Sequence, residues 1–344
     1  SGNNVTIVDS NAINFGTGTS TVTGALTVTT EGEITDSGAV VVTGLTTLDT
    51  DRANDGSPYD IILDHTSNNF SAVTLAATDE ADDVTLVDSN AIDLGTAGLP
   101  ITIPGNLSVT AGGAITDSGV ITVDTATKTA TFAAGSSNDI TLNGTGAGDD
   151  FLTLIITSSD DVTVIDSDAL AFGTSNISGN LTVTTTGAIT QSGPITANGA
   201  SKTSNFTAGA FAITLTDTGN DFTTARFNNT AAAVQITDAS GLDLGLSSTD
   251  NNLILIVSAG DISDSGVMTV TGTTTITGSH NANIVLDQTH ALTGAIDINP
   301  DGSSAANRLN NVTVTDSTAI ILAGDGDFTI SGNLTVTSSA DISQ

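Results

Sequence analysis

The chain has 344 residues, with 38 acidic side chains against 5 basic ones and a formal net charge of −33. The five cations, Arg52, Lys128, Lys202, Arg226 and Arg308, form no patch, which excludes nucleic-acid binding by a basic surface and opposes docking on an anionic membrane. Aromatics make up only 3% of a composition that is 38% hydrophobic, and there is no Trp and no Cys, so a wide globular core, a disulfide framework and thiol chemistry are all excluded.

Taken in order, the chain opens on VTIVDSNAINFG, which alternates apolar and polar residues and then reaches a Gly turn. VTGALTVTTEGEITDSG does the same, VVVTGLTTLDT and YDIILDHT add two strand-like pieces, and NNFSAVTLAATD closes the unit near Asp82. Period-two alternation between turn signals reads as strand, and no N-cap followed by an apolar helical stripe is found. The order then returns. Long repeats run over about 4–82, 83–159, 160–230 and 231–310, with a partial copy at 311–344. The acid of the first motif recurs as Asp9, Asp88, Asp166, Asp238 and Asp316, at steps of 79, 78, 72 and 78 residues. The marker of the second motif recurs as Asp36, Asp117, Gln191, Asp264 and Gln344. A repeat of this kind decides the fold class before any isolated motif is weighed.

Each long repeat divides into about four coils of roughly 20 residues, too short to bury their own apolar side unless stacked. The expected fold is therefore all-β, a right-handed parallel β-solenoid (β-helix) of about 17 coils of roughly 20 residues, forming one elongated array. Val5, Ile7, Val84, Leu86, Val162, Val164, Val312 and Val314 are expected to point inward from the first motif. Leu107, Val109, Leu181, Val183, Leu334 and Val336 do so from the following coil. Three further sets align across repeats: Leu48, Phe132, Phe206 and Ile276; Ile61, Ile140, Ile213 and Ile284; Phe70, Phe151, Phe222 and Leu292. Asn and Asp at the corners accept backbone N–H groups and tolerate left-handed dihedrals. Asp51–Tyr59 and Asn299–Leu309 read as loop insertions carrying Pro58 and Pro300, and Pro100, Pro104 and Pro194 mark corners. Asn106, Asn180 and Asn333, in N-x-Ser/Thr context like Asn228, recur in phase at the start of a strand and read as corners.

NLSVTAGGAITDSG and NLTVTTTGAITQSG resemble the short repeats of filamentous haemagglutinin-type adhesins. The longer series VTLVDSNAIDLG, TATFAAG, NDITLNG and GNDF resembles the long repeats of very large bacterial surface proteins of that kind. The resemblance covers essentially the whole chain. It implies a right-handed parallel β-helix, secretion through a partner pore or comparable route, and a role in adhesion or surface structure. The amino-terminal secretion domain of such proteins is not recognisable here.

Candidate chemistry is sparse. Acid pairs, above all Asp82, Asp83, Asp160 and Asp161, read as solvated turns, with calcium held between neighbouring turns as the alternative. Neither an EF-hand loop nor a glycine-rich calcium nonapeptide is present. His65, His280 and His290 are the only histidines, and they support neither a zinc site nor a catalytic triad. The single Tyr59 reads as a loop packing residue, with glycan stacking as the alternative. No catalytic or cofactor-binding residue is assigned, and no enzyme is expected. The leading expectation is the structural shaft of a bacterial cell-surface or secreted adhesin or extracellular fibre. A glycan- or protein-binding module using the loop insertions is second, and a carbohydrate-active β-helix enzyme third. Both termini cut through a repeat, so the chain reads as part of something longer. Exposed backbone edges there invite neighbouring domains or end-to-end self-association. The expected location is extracellular or cell-surface, without membrane insertion.

Overall fold

A computed structural model describes residues 3–51, 59–76, 81–144, 146, 148–300, 308–323 and 329–344. Their regular structure is β-strand. The chain forms two compact units, Ser1–Ala171 with Ser175–Ser178, and Phe172–Thr174 with Gly179–Gln344. Each is built as a right-handed parallel β-solenoid.

The sequence explains the coil. Leu107–Ala111, Ile115–Asp117 and Ile121–Val123 are three successive strands of one coil, and apolar residues at every second position face inward while Ser and Thr face out. Gly, Asn, Asp and Ser fill the corners between them. The corner Gly105 lies so close to the coil before it that a Cβ would stand 1.8 Å from the Asp82 carbonyl oxygen. Stacking is parallel and in register. In the first unit Ile61, Val84, Leu107 and Ala130 follow one another up one ladder. Ile92, Ile115, Ile140 and Val162 follow one another up a second. A short third ladder pairs Ile101 with Ile121 and Val123 with Phe151. The second unit repeats the plan, with Val234, Leu253, Thr274 and Ile296 in one ladder and Ile262, Ile284, Val312 and Leu334 in the other.

These registers correct the expected coil count. Val5 stacks on Leu26, Leu26 on Thr46 and Thr46 on Val73, but Val84 stacks on Ile61, in the other ladder. Val162 returns to a ladder distinct from that of Val84. A long repeat is thus three and a half turns, not four. The same motif opens on alternate faces, and in the second unit Val234 and Val312 again lie in different ladders. The period is 20–22 residues, so there are fewer than the 17 coils expected. Alternation in sequence marks strands, but it carries no label for the face on which each strand lands.

The predicted core is where the alternation puts it. Val84, Leu86, Leu107, Val109, Val162, Val164, Leu181, Val183, Val312 and Val314 are buried. So are all three aligned sets, Leu48 to Ile276, Ile61 to Ile284 and Phe70 to Leu292. Phe132 meets Phe151 edge-on at 6.1 Å between ring centroids, and Phe206 meets Phe222 in the same way at 5.7 Å. Four positions depart from this expectation. Val5, Ile7 and Val336 are half-buried and Leu334 is exposed, because among the described residues each pairs with a strand on one side only, Leu26, Val28, Val314 and Val312 respectively. Most of the insertion Asp51–Tyr59, with Pro58, and most of Asn299–Leu309 lie outside the described residues. Pro300 ends the strand Ala295–Pro300 opposite Gly278 rather than standing in a loop.

Candidate functional site

The densest chemistry lies inside the coils. The recurring Asp88, Asp166, Asp238 and Asp316 are buried. Each carboxylate receives a backbone N–H from the coil before it: Phe70 (2.5 Å), Phe151 (2.9 Å), Phe222 (2.7 Å) and Leu292 (2.8 Å). The other carboxylate oxygen accepts the N–H two residues on, from Asn90, Asp168, Ser240 and Thr318, and so closes the Asx turn. One side chain therefore shapes its own corner and staples it to the neighbouring coil. The second-motif marker is a polar corner as well. Asp36, Asp117 and Asp264 each accept N–H groups from the next coil, at Asp64, Asn143 and Asp287.

Sequence reading missed a third row, two residues before the aligned Phe70, Phe151, Phe222 and Leu292. It consists of Asn68, Asp149, Asn220 and His290, all with no exposed surface. Each accepts an N–H from the coil below: Val40 (2.8 Å), Ile121 (2.8 Å), Ile195 (2.9 Å) and Met268 (3.0 Å). The identities differ so widely that no motif search links them. Only their offset from the aligned aromatics does. Each faces one of the second-motif markers. Asn68 Nδ2 donates to Asp36 at 2.6 Å. Asn220 and Gln191 exchange two hydrogen bonds of 2.9 Å. His290 Nε2 stands 3.2 Å from Asp264 Oδ2, both side chains fully buried. Gln191, which breaks the acid pattern, is therefore matched by a neutral partner.

Burial governs the electrostatics. It pushes Asp88 above the ordinary carboxylate value against the pull of the Phe70 and Asn90 N–H groups. It raises Asp166 to about 6, Asp238 to about 7 and Asp149 to about 8, the last with Asp117 and Asp166 as like-charged neighbours. Burial holds His290 below its usual value although Asp264 and Asp316 favour its charged form. Since Nδ1 accepts the Met268 N–H, the ring proton belongs on Nε2, facing Asp264. These perturbed groups are buried, and their partners are backbone groups and side chains of their own corner and of adjacent coils.

The proposed calcium residues are not brought together. Asp82 and Asp83 lie 4.0 and 3.4 Å from Lys128 Nζ. Hydrogen bonding from Asn106 and the Lys128 charge hold the Asp83 carboxyl below its usual value. Asp160 and Asp161 precede Val162, which stands in the other ladder from Val84, so the half-turn offset puts the two acid pairs at different corners. Among the described residues no group of three or more His, Cys, Asp and Glu is placed to hold a metal ion. Asn106 and Asn180 are the expected corners, each accepting an N–H from the next coil, at Thr129 (3.1 Å) and Thr203 (3.0 Å). Among the described residues no helix is long and apolar enough to cross a membrane.

The model of a family described as repeats of unknown function (DUF5649) matches residues 2–77, 81–158, 159–226, 231–299 and 309–344. These five matches follow the long repeats found above. No curated protein and no solved structure matches the chain.

Proposed function

We propose, for a chain that belongs to the family of repeats of unknown function (DUF5649), that it is shaft material of a bacterial surface or secreted protein, similar in role to the shafts of filamentous haemagglutinin-type adhesins. It is a repetitive solenoid scaffold. In the proposed role it is non-enzymatic, works outside the cell, and holds other parts of a longer protein at a distance. The observation that carries this reading is the destination of its polar groups. Rows of buried and half-buried Asp, Asn, Gln and His side chains spend their hydrogen bonds on neighbouring coils, so chemistry that would serve a ligand elsewhere serves stacking here. The net charge of −33 supports solubility and keeps neighbouring shafts apart.

A second reading, a binding module, is favoured by one groove in the second unit. Asn205, Thr207, Arg226, Asn228 and Leu246 line a surface hollow of about 220 Å³, where Leu246 is 68% exposed. The two readings separate in a binding screen of the purified chain against a glycan array and immobilised host matrix proteins. The shaft reading expects no saturable binding. Saturable binding that is lost on Arg226→Ala or Leu246→Ala overturns it in favour of the groove.

A further inference from the structure

In three of the four complete long repeats the buried third-row residue does two things. It accepts an N–H from the coil below, and it turns a proton-bearing nitrogen toward the second-motif marker. Asn68 does so toward Asp36, Asn220 toward Gln191 and His290 toward Asp264. Asp149 does the first of these, through Oδ1 to Ile121 at 2.8 Å. Its Oδ2 is buried with no donor supplied to it. The facing Asp117 already spends both oxygens on N–H groups, from Asn143 at 2.8 Å and Gly144 at 2.7 Å. Two ionised carboxylates in contact in a site of low polarity repel, and one of them keeps its proton.

We propose that Asp117 and Asp149 share a single proton, held on Asp149 Oδ2 and donated to Asp117, and that this proton clasps two successive coils of the first unit until alkaline pH releases it to solvent. Among the described residues, the groups around it leave no other partner. Asp117 faces Asp149 from the coil below and Asp166 from the coil above, where the backbone of Asp149 also bridges to Asp166. Asp150 follows in the chain, under the influence of Asp168 and Asp124. Among the described residues no Lys, Arg or His is paired with Asp149 or Asp117. Burial first, then Asp117, holds the Asp149 proton to about pH 8, and burial raises Asp117 as well. The proton makes Asp149 chemically equivalent to the Asn that occupies its place in the first and third repeats.

The sign follows from linkage. The folded site keeps its proton to about pH 8, while the opened site releases it near the ordinary value of 3.8. The clasp is therefore complete below that ordinary value. It weakens about tenfold in equilibrium per pH unit above it and is gone above pH 8. Amide hydrogen exchange of the full chain reads this at Ile121, Asn143 and Gly144. Corrected for intrinsic exchange, protection there is expected to fall about tenfold per unit from pH 5 to 8 and then level off. Asp149→Asn carries the donor permanently, and is expected to keep the fold and to flatten the profile. A wild-type slope that persists in a folded Asp149→Asn chain overturns the proposal. A second measurement is carboxyl-carbon magnetic resonance of the aspartates in the unmodified chain. One carboxyl titrating near pH 8 and missing from the Asp149→Asn spectrum is the expected result, and the absence of such a carboxyl overturns the proposal.

Discussion

Replacing Asp238 by Ala tests the staple directly. The carboxylate is fully buried and accepts N–H groups from Phe222 at 2.7 Å and Ser240 at 2.9 Å. Removing it orphans the Phe222 N–H in the core and the Ser240 N–H at a half-buried corner. At about 2 kcal/mol for each such unsatisfied group, the cost is about 4 kcal/mol at pH 5. The cost is not constant. Burial, opposed by those same N–H groups, puts the Asp238 carboxyl at about 7. A folded value raised above the unfolded one contributes stability that is whole below the unfolded value and lost as pH rises through the folded one. Between pH 5 and 7 the wild-type side chain gives up about 1.4 kcal/mol per unit. The penalty of Asp238→Ala therefore shrinks to about 1 kcal/mol at pH 8. Global melting averages over many coils and is not two-state in repeat arrays, so the assay is amide exchange resolved at Phe222 and Ser240. Protection at pH 5 is expected to drop about 10³-fold in the variant, and far less at pH 8. Unchanged protection at Phe222, or a penalty that grows with pH, refutes the reasoning.

The other predictions concern the same contacts. His290→Asn is expected to cost about 1 kcal/mol, because Asn does this work at Asn68 and Asn220. His290→Leu is expected to cost about 1–3 kcal/mol by orphaning the Met268 N–H, and a chemical denaturation series distinguishes the two. Gly105→Ala would put a Cβ 1.8 Å from the Asp82 carbonyl oxygen; forcing two coils apart is expected to cost about 3 kcal/mol, read as a lower melting temperature. In the whole chain, Asp166 and Asp238, raised to about 6 and about 7, make stability fall as pH rises through that range. His290 works the other way, because its folded value lies below 6.5 and acidification past 6.5 costs stability. A melting series over pH 4–9 in wild type and in His290→Asn checks both signs, since the acid-side loss is expected to disappear in the variant.

The fold was legible because its signal is redundant. Val84, Val162 and Val312 stand in the same local pattern, and an error in one copy is corrected by the others. The core was legible for the same reason, apart from strands paired on one side such as Leu334. What stayed hidden is relational. Nothing local in VTLVD says that it stacks on Ile61 rather than in line with Val5, because that depends on the summed length of all intervening coils. The third row was hidden because what its members share is a role, accepting one N–H from the coil below, and three different residue types, Asn, Asp and His, fill its four places. The exchange of Asp for Gln191 was visible in the sequence, while its partner Asn220 lay 29 residues away and needed coordinates.

The half-turn offset bears on function more than any single residue does. Within each unit, successive copies of a motif open on alternate ladders. A ligand-binding feature encoded once per long repeat would therefore appear first on one face and then on the other, and two copies would not line up along one side. A repeat under selection to present a continuous binding face would be expected to close on a whole number of turns. A repeat under selection only to stack needs equivalent ladders and equivalent corners, which this one has. Inserting or deleting a single long repeat is accordingly expected to leave folding intact, since each copy finds the same partners on either ladder, while everything beyond it turns by half a revolution. A bound probe placed on one ladder downstream would report that turn as a change of side after one repeat is removed and a return after two. Loss of folding on removal of one repeat but not two would show instead that the two ladders are not interchangeable, and the argument for a face-indifferent shaft would fail with it.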